Sequence, residues 1–131
     1  MEPEKKTSIL VIDDEPGLTF TLESTLRSGG YAVTAVDSGR RALEALSAHT
    51  FDVVLTDIML PDIDGMQIIA AVRKQQPTAR IVAISGGGSY MTPAEALRIA
   101  VRLGASRFLE KPFGRADLLR VIAEATALPP A

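Results

Sequence analysis

The chain has 131 residues, no cysteine and a formal charge of −2, which excludes a disulfide framework, a thiolate metal site and the basic footprint of a nucleic-acid binder. Its 47% apolar and 23% charged residues are the balance of one soluble domain with its own core. No apolar run approaches the roughly 20 residues of a membrane-spanning helix, and residues 1–8 lack a secretory h-region. The expectation is a cytoplasmic protein without membrane or nucleic-acid partners.

In chain order, short apolar runs alternate with helical patterns, which predicts a parallel α/β sheet. The first strand, near 8–12, carries Ile9-Leu10-Val11-Ile12 into Asp13-Asp14. A helix starts at Pro16, where a missing N–H costs nothing. It repeats Leu18, Leu22 and Leu26 on one face and stops at Gly29-Gly30. A strand near 32–36 precedes a second helix with Ser38 as N-cap and Ala42, Leu43 and Leu46 facing the sheet. The third strand, near 52–56, runs Val53-Val54-Leu55-Thr56 into Asp57. The third helix starts near Asp64-Gly65, presents Ile68, Ile69 and Val72, and closes before Pro77.

The fourth strand, near 80–84, runs Ile81-Val82-Ala83-Ile84 into Ser85. A glycine-rich loop, Gly86-Gly87-Gly88-Ser89-Tyr90-Met91, follows. Thr92-Pro93-Ala94-Glu95 is a capping box for the fourth helix, and Gly104 suits its C′ position. The fifth strand, near 106–109, leads from Phe108-Leu109 through Glu110 to Lys111. A last helix runs from about Gly114 with Leu118, Leu119 and Ile122 inward, ending before Pro129-Pro130. Residues 1–7 and 128–131 are expected to be tails around one domain at 8–127.

Parallel strands bring their carboxyl ends to one edge, where ligands bind. Asp13, Asp14, Asp57, Ser85 and Lys111 would therefore meet in one crevice. Carboxylates that close repel and raise one another's pKa values unless a cation joins them. All-oxygen ligands with open positions suit Mg²⁺. An ionised Asp57 could attack phosphorus in line while Mg²⁺ and Lys111 stabilise the equatorial oxygens and the Ser85 hydroxyl donates to another. The product is an acyl phosphate on Asp57.

On these residues the chain resembles the receiver domain of two-component response regulators over 8–127. The matching segments are Leu10-Val11-Ile12-Asp13-Asp14-Glu15, Leu55-Thr56-Asp57-Ile58-Met59-Leu60-Pro61-Asp62-Ile63-Asp64-Gly65, Ser85-Gly86 and Lys111-Pro112-Phe113. The resemblance implies a flavodoxin-like, doubly wound (βα)5 three-layer sandwich with strand order 2-1-3-4-5. It implies a phosphoacceptor Asp57 served by a histidine kinase or histidine phosphotransfer protein. It implies Mg²⁺, with Mn²⁺ able to replace it, on Asp13, Asp14, Asp57 and the Met59 backbone carbonyl, Asp13 acting mainly through water. Lys111 would pair with the phosphoryl group, the Lys111-Pro112 bond would be cis, and Ser85 and Phe108 would form the switch. Many members carry tyrosine at the Phe108 position, so the hydroxyl's hydrogen bond is absent here.

The implied protein is a stand-alone regulator, monomeric or weakly dimeric when phosphorylated, that controls an output protein in trans through its fourth helix, fifth strand and fifth helix. It is not an enzyme toward external substrates and catalyses only its own phosphorylation and dephosphorylation. A haloacid-dehalogenase-type phosphohydrolase would need a second Asp two residues after the nucleophile, where Met59 stands. A nucleotide binder of this fold would meet Asp13-Asp14-Glu15 in place of a phosphate loop. His49 reads as a solvated helix-end residue, Arg98, Arg102 and Arg107 as a basic face, and Asp62 and Asp64 as turn and cap residues.

Overall fold

The structure, a computed structural model, describes residues 6–58, 60, 62–85 and 92–127. Strands β1 (Ser8–Ile12), β2 (Ala32–Val36), β3 (Val53–Asp57), β4 (Arg80–Ser85) and β5 (Ala105–Glu110) alternate with helices. The helices are α1 (Pro16–Ser28), α2 (Gly39–Ala48), α3 (Gly65–Gln75), α4 (Pro93–Leu103) and α5 (Arg115–Ala127). All strand pairs are parallel, in the order β2-β1-β3-β4-β5. The expected doubly wound, three-layer α/β sandwich is therefore the observed one.

The layers follow from the two-residue period of a strand, which sends neighbouring side chains to opposite faces. Leu10 and Ile12 of β1 join Val54, Ile81 and Ala83 in a core beneath α2, α3 and α4. Ile9 and Val11 join Val53, Leu55, Val82 and Ile84 in a second core beneath α1 and α5. The central strands are buried on both faces, hence their near-continuous apolar sequence. Each helix contributes one stripe: Leu22 and Leu26 from α1, Ala42 and Leu46 from α2, Ile68, Ile69 and Val72 from α3, Ala96 and Ala100 from α4, and Leu118, Val121 and Ile122 from α5.

The helix ends also match their local chemistry. Ser38 accepts the Arg41 N–H at α2, and Asp64 accepts the Met66 N–H at α3. In α4 the Glu95 N–H donates to Thr92 Oγ1 at 3.1 Å, while that hydroxyl donates to Glu95 Oε1 at 3.2 Å. Gly104 ends α4 with φ 111°. The strand ends differ from expectation by a residue. β3 extends to Asp57 because that residue still pairs with Ile84, and β5 spans 105–110 because Ala105 and Glu110 pair with Ile81 and Ser85.

Candidate active site at the carboxyl edge of the sheet

The strand order reverses between β1 and β3, and an open α/β sheet has its binding crevice at that switch point. β1 delivers Asp13 and Asp14 there, and β3 delivers Asp57. Oxygens of the three carboxylates lie within 4.8 Å of one another. Asp13 is fully buried and Asp57 nearly so, at 0% and 4% exposure, while Asp14 is exposed. The loop that carries the first pair is fastened: the Asp13 N–H donates to the Val36 carbonyl at 3.2 Å. Asp13 Oδ1 accepts the Glu15 N–H at 2.9 Å, and the Asp13 carbonyl accepts the Thr19 hydroxyl at 2.9 Å.

From the next strands come Ser85, buried at the end of β4, and Lys111, one residue beyond β5. The Lys111 N–H donates to the Ser85 carbonyl at 2.7 Å, and the Lys111-Pro112 bond is cis. Lys111 Nζ donates to Asp57 Oδ2 at 3.0 Å and to Glu15 Oε1 at 3.0 Å. It also lies 3.2 Å from Asp13 Oδ2. That last contact is an ion pair without hydrogen-bond geometry, so Asp13 Oδ2 is buried with no hydrogen-bond partner among the described residues.

Burial opposes charge on Lys111, but the carboxylates of Glu15, Asp57 and Asp13 outweigh it and hold the ammonium above the usual lysine range. Burial pushes the Asp13 carboxyl up from its ordinary value, against the Glu15 N–H and Lys111. A buried carboxylate oxygen lacking a hydrogen bond, in an all-oxygen cluster, fits a hard divalent cation that keeps several waters. Asp13, Asp14 and Asp57 would hold it. Met59, expected to add its carbonyl, and the 86–91 loop lie outside the described residues.

Phe108, half-buried in β5, packs against the core under α2–α4, beside Ala83 in the ladder. Arg98 and Arg102 are exposed as expected, whereas Arg107 pairs with Glu124 of α5 at 3.4 Å. His49 caps the end of α2 and meets Phe51 edge-on, with ring centroids 6.5 Å apart.

Two carboxylates have roles that the sequence reading missed. Glu15 joins the Lys111 cluster. Asp62, expected only to shape its turn, accepts the Gly39 N–H at 2.9 Å and the Arg40 N–H at 3.0 Å. It thereby caps α2 from the β3–α3 loop, and those donors hold its carboxyl below the usual range. A signal existed for the second, since a bare helix N-terminus attracts an anion, but the 22- and 23-residue separations hid the partner.

A parallel five-stranded sheet with an acidic triad and a lysine at its switch point defines a receiver-type fold. The response regulator receiver domain profile matches residues 9–123, and the chain belongs to that family. It is 32% identical over 121 residues to the transcriptional regulatory protein GlrR of Escherichia coli, covering 92% of this chain and 26% of that protein. It is 35% identical over 108 residues to FixJ of Bradyrhizobium diazoefficiens, covering 82% of this chain and 51% of that protein. The chain thus spans about a quarter to a half of these relatives. A CheY-like receiver domain from Methanospirillum hungatei superposes with TM-score 0.85 at 25% identity, covering 93% of this chain and 94% of that one. CheY4 of Vibrio cholerae does so with TM-score 0.83 at 27% identity, covering 92% and 99%. Among the described residues no helix is long and apolar enough to cross a membrane.

Proposed function

We propose that the chain is a phosphorylation-controlled signalling module whose phosphoacceptor is Asp57. The observation that carries this reading is the buried Asp57 carboxylate, set beside Asp13 and Asp14 and bonded to Lys111 at 3.0 Å. An Asp57 oxygen attacks the phosphorus of a phosphohistidine on a kinase or phosphotransfer protein. The O–P bond forms, the P–N bond breaks, and the imidazole leaves with the bonding electrons. Lys111 meets the negative charge on the transferred oxygens, and the Ser85 hydroxyl donates to another of them. A divalent cation held by Asp13, Asp14 and Asp57, Mg²⁺ or Mn²⁺, supplies charge neutralisation and alignment of the phosphoryl oxygens.

Ser85 ends the strand that lies beside β5, and Phe108 pairs with Ala83 two residues before it. A shift of the Ser85 hydroxyl toward the phosphoryl group leaves room that the Phe108 ring fills, which couples Asp57 to the α4–β5–α5 face. The output is control of a partner protein in trans, in the cytoplasm, with no turnover of external substrates. Intact-protein mass after incubation with acetyl phosphate and Mg²⁺ tests the reading. One added phosphoryl group that disappears in Asp57→Asn and in chelator is the expected result. Absence of both this adduct and beryllofluoride binding would sink it.

A further inference from the structure

We propose that Glu15 is a positioning residue that acts through Lys111: its carboxylate occupies the place that a phosphoryl oxygen takes, and so restrains reaction with small anionic donors. The inference rests on the reading of Asp57 as phosphoacceptor.

Glu15 is the N-cap residue of α1, yet its side chain makes no cap hydrogen bond. It reaches instead to Lys111, 96 residues away along the chain, with Oε1 3.0 Å from Nζ. Its backbone is pinned, since the N–H donates to Asp13 Oδ1 at 2.9 Å and the carbonyl accepts the Thr19 N–H at 2.9 Å, with the Thr19 hydroxyl shared between this carbonyl and that of Asp13. The side chain is therefore presented from a fixed base at the mouth of the crevice.

An ammonium has three N–H donors, and Lys111 faces three carboxylates, those of Asp13, Glu15 and Asp57. A phosphoryl oxygen that engages Lys111 competes with these carboxylates for it. The side chains of Asp13 and Asp57 are buried, at 0% and 5% exposure, whereas that of Glu15 is 61% exposed. A displaced Glu15 carboxylate is taken up by water, whereas a displaced Asp13 or Asp57 carboxylate would remain buried away from it. Glu15 is thus the contact that yields. Until it does, it ties up the cation and adds negative charge where a dianionic donor arrives.

The test is phosphoryl uptake from acetyl phosphate with Mg²⁺, in which the Asp57 O–P bond forms as the donor's P–O bond breaks and acetate leaves with the electron pair. Wild type, Glu15→Gln and a control, Glu23→Gln, are compared across donor concentrations, with beryllofluoride affinity as a second readout. Glu23 lies on α1 and pairs with Arg27, outside the crevice. Glu15→Gln is expected to raise the second-order rate about two- to fivefold and to tighten beryllofluoride binding, with an unchanged melting temperature. Glu23→Gln is expected to change neither. A Glu15→Gln rate equal to or below wild type overturns the inference, as does an equal gain in Glu23→Gln, which would make the effect one of general charge. No labelling and no beryllofluoride binding in wild type would instead overturn the phosphoacceptor reading itself.

Discussion

Gly65, the first residue of α3, presses against the chain segment that carries Asp57: a Cβ at position 65 would lie 2.5 Å from the Asp57 carbonyl oxygen. It would also lie 2.3 Å from Ile58 Cα. Both neighbours are backbone, so neither can swing aside. The contact is closed by the Gly65 N–H, which donates to the Ile58 carbonyl at 3.2 Å, while the Ile58 N–H donates to Ile84 across the sheet at 3.0 Å. The loop after Asp57 is thereby folded back onto the strand that presents it.

Gly65→Ala is therefore expected to displace the loop and the Asp57 carboxylate together. Overpacking of this kind costs about 1–3 kcal/mol. The denaturation midpoint should fall, and phosphoryl uptake should fall further than stability alone explains. Wild-type uptake in a folded Gly65→Ala protein would show that the close approach does not position Asp57.

The Asp13 carboxylate sits where burial disfavours its charge, and one of its oxygens has no hydrogen bond among the described residues. Asp13→Asn keeps an oxygen to accept the Glu15 N–H and removes the buried charge. In metal-free buffer near neutral pH the variant should be more stable than wild type, because it no longer holds a charge that burial disfavours. Adding Mg²⁺ should raise the melting temperature of wild type and do so much less for the variant. A less stable metal-free variant would mean that the Lys111 contact outweighs desolvation.

The fold was legible from local signals because strands and helices announce themselves over a few neighbouring residues. Val53-Val54-Leu55-Thr56 marks a doubly buried strand, and Thr92 with Glu95 marks a helix start. The strand ends then place Asp13, Asp57, Ser85 and Lys111 on one edge by topology alone. What was not legible depends on contacts between distant segments. Nothing near Glu15 indicates that its side chain abandons its own helix for Lys111. Nothing near Asp62 indicates that it caps α2, nor near Gly39 that a Cβ there would lie 2.6 Å from Ile63 Cβ. Even the end of β3 was set by a partner, since Asp57 belongs to the strand only through its pairing with Ile84.

Gln76 illustrates the same point in the core. Its buried amide donates to the Leu46 carbonyl at 3.0 Å and the His49 carbonyl at 2.7 Å, and accepts the Phe51 N–H at 2.8 Å. One side chain thus joins the ends of α2 and α3 to the start of β3. Gln76→Leu keeps the volume but strips those three backbone groups of their partner, at a cost of about 2–4 kcal/mol. Chemical denaturation should show that loss, and hydrogen exchange should speed up at Phe51 before the rest of the sheet. A loss below about 0.5 kcal/mol would mean that water replaces the amide without penalty.

The Asp62 cap on α2 makes a prediction about pH. The Gly39 and Arg40 N–H groups hold the Asp62 carboxyl below its ordinary value of 3.8, so the folded state binds the proton less readily than the unfolded chain. The cap's contribution is therefore present in full above the ordinary value and is lost as pH falls through the lower, folded-state value. In wild type the Gly39 and Arg40 amides should keep their exchange protection at mildly acidic pH and lose it below that value. Asp62→Asn retains one acceptor oxygen but no charge, so it should weaken protection at every pH and flatten the acid limb of the stability curve. Because the β3–α3 loop is fastened to α2 through this carboxylate, the variant should also take up phosphate more slowly under conditions where it is folded. An acid limb unchanged in Asp62→Asn would show that other carboxylates set it.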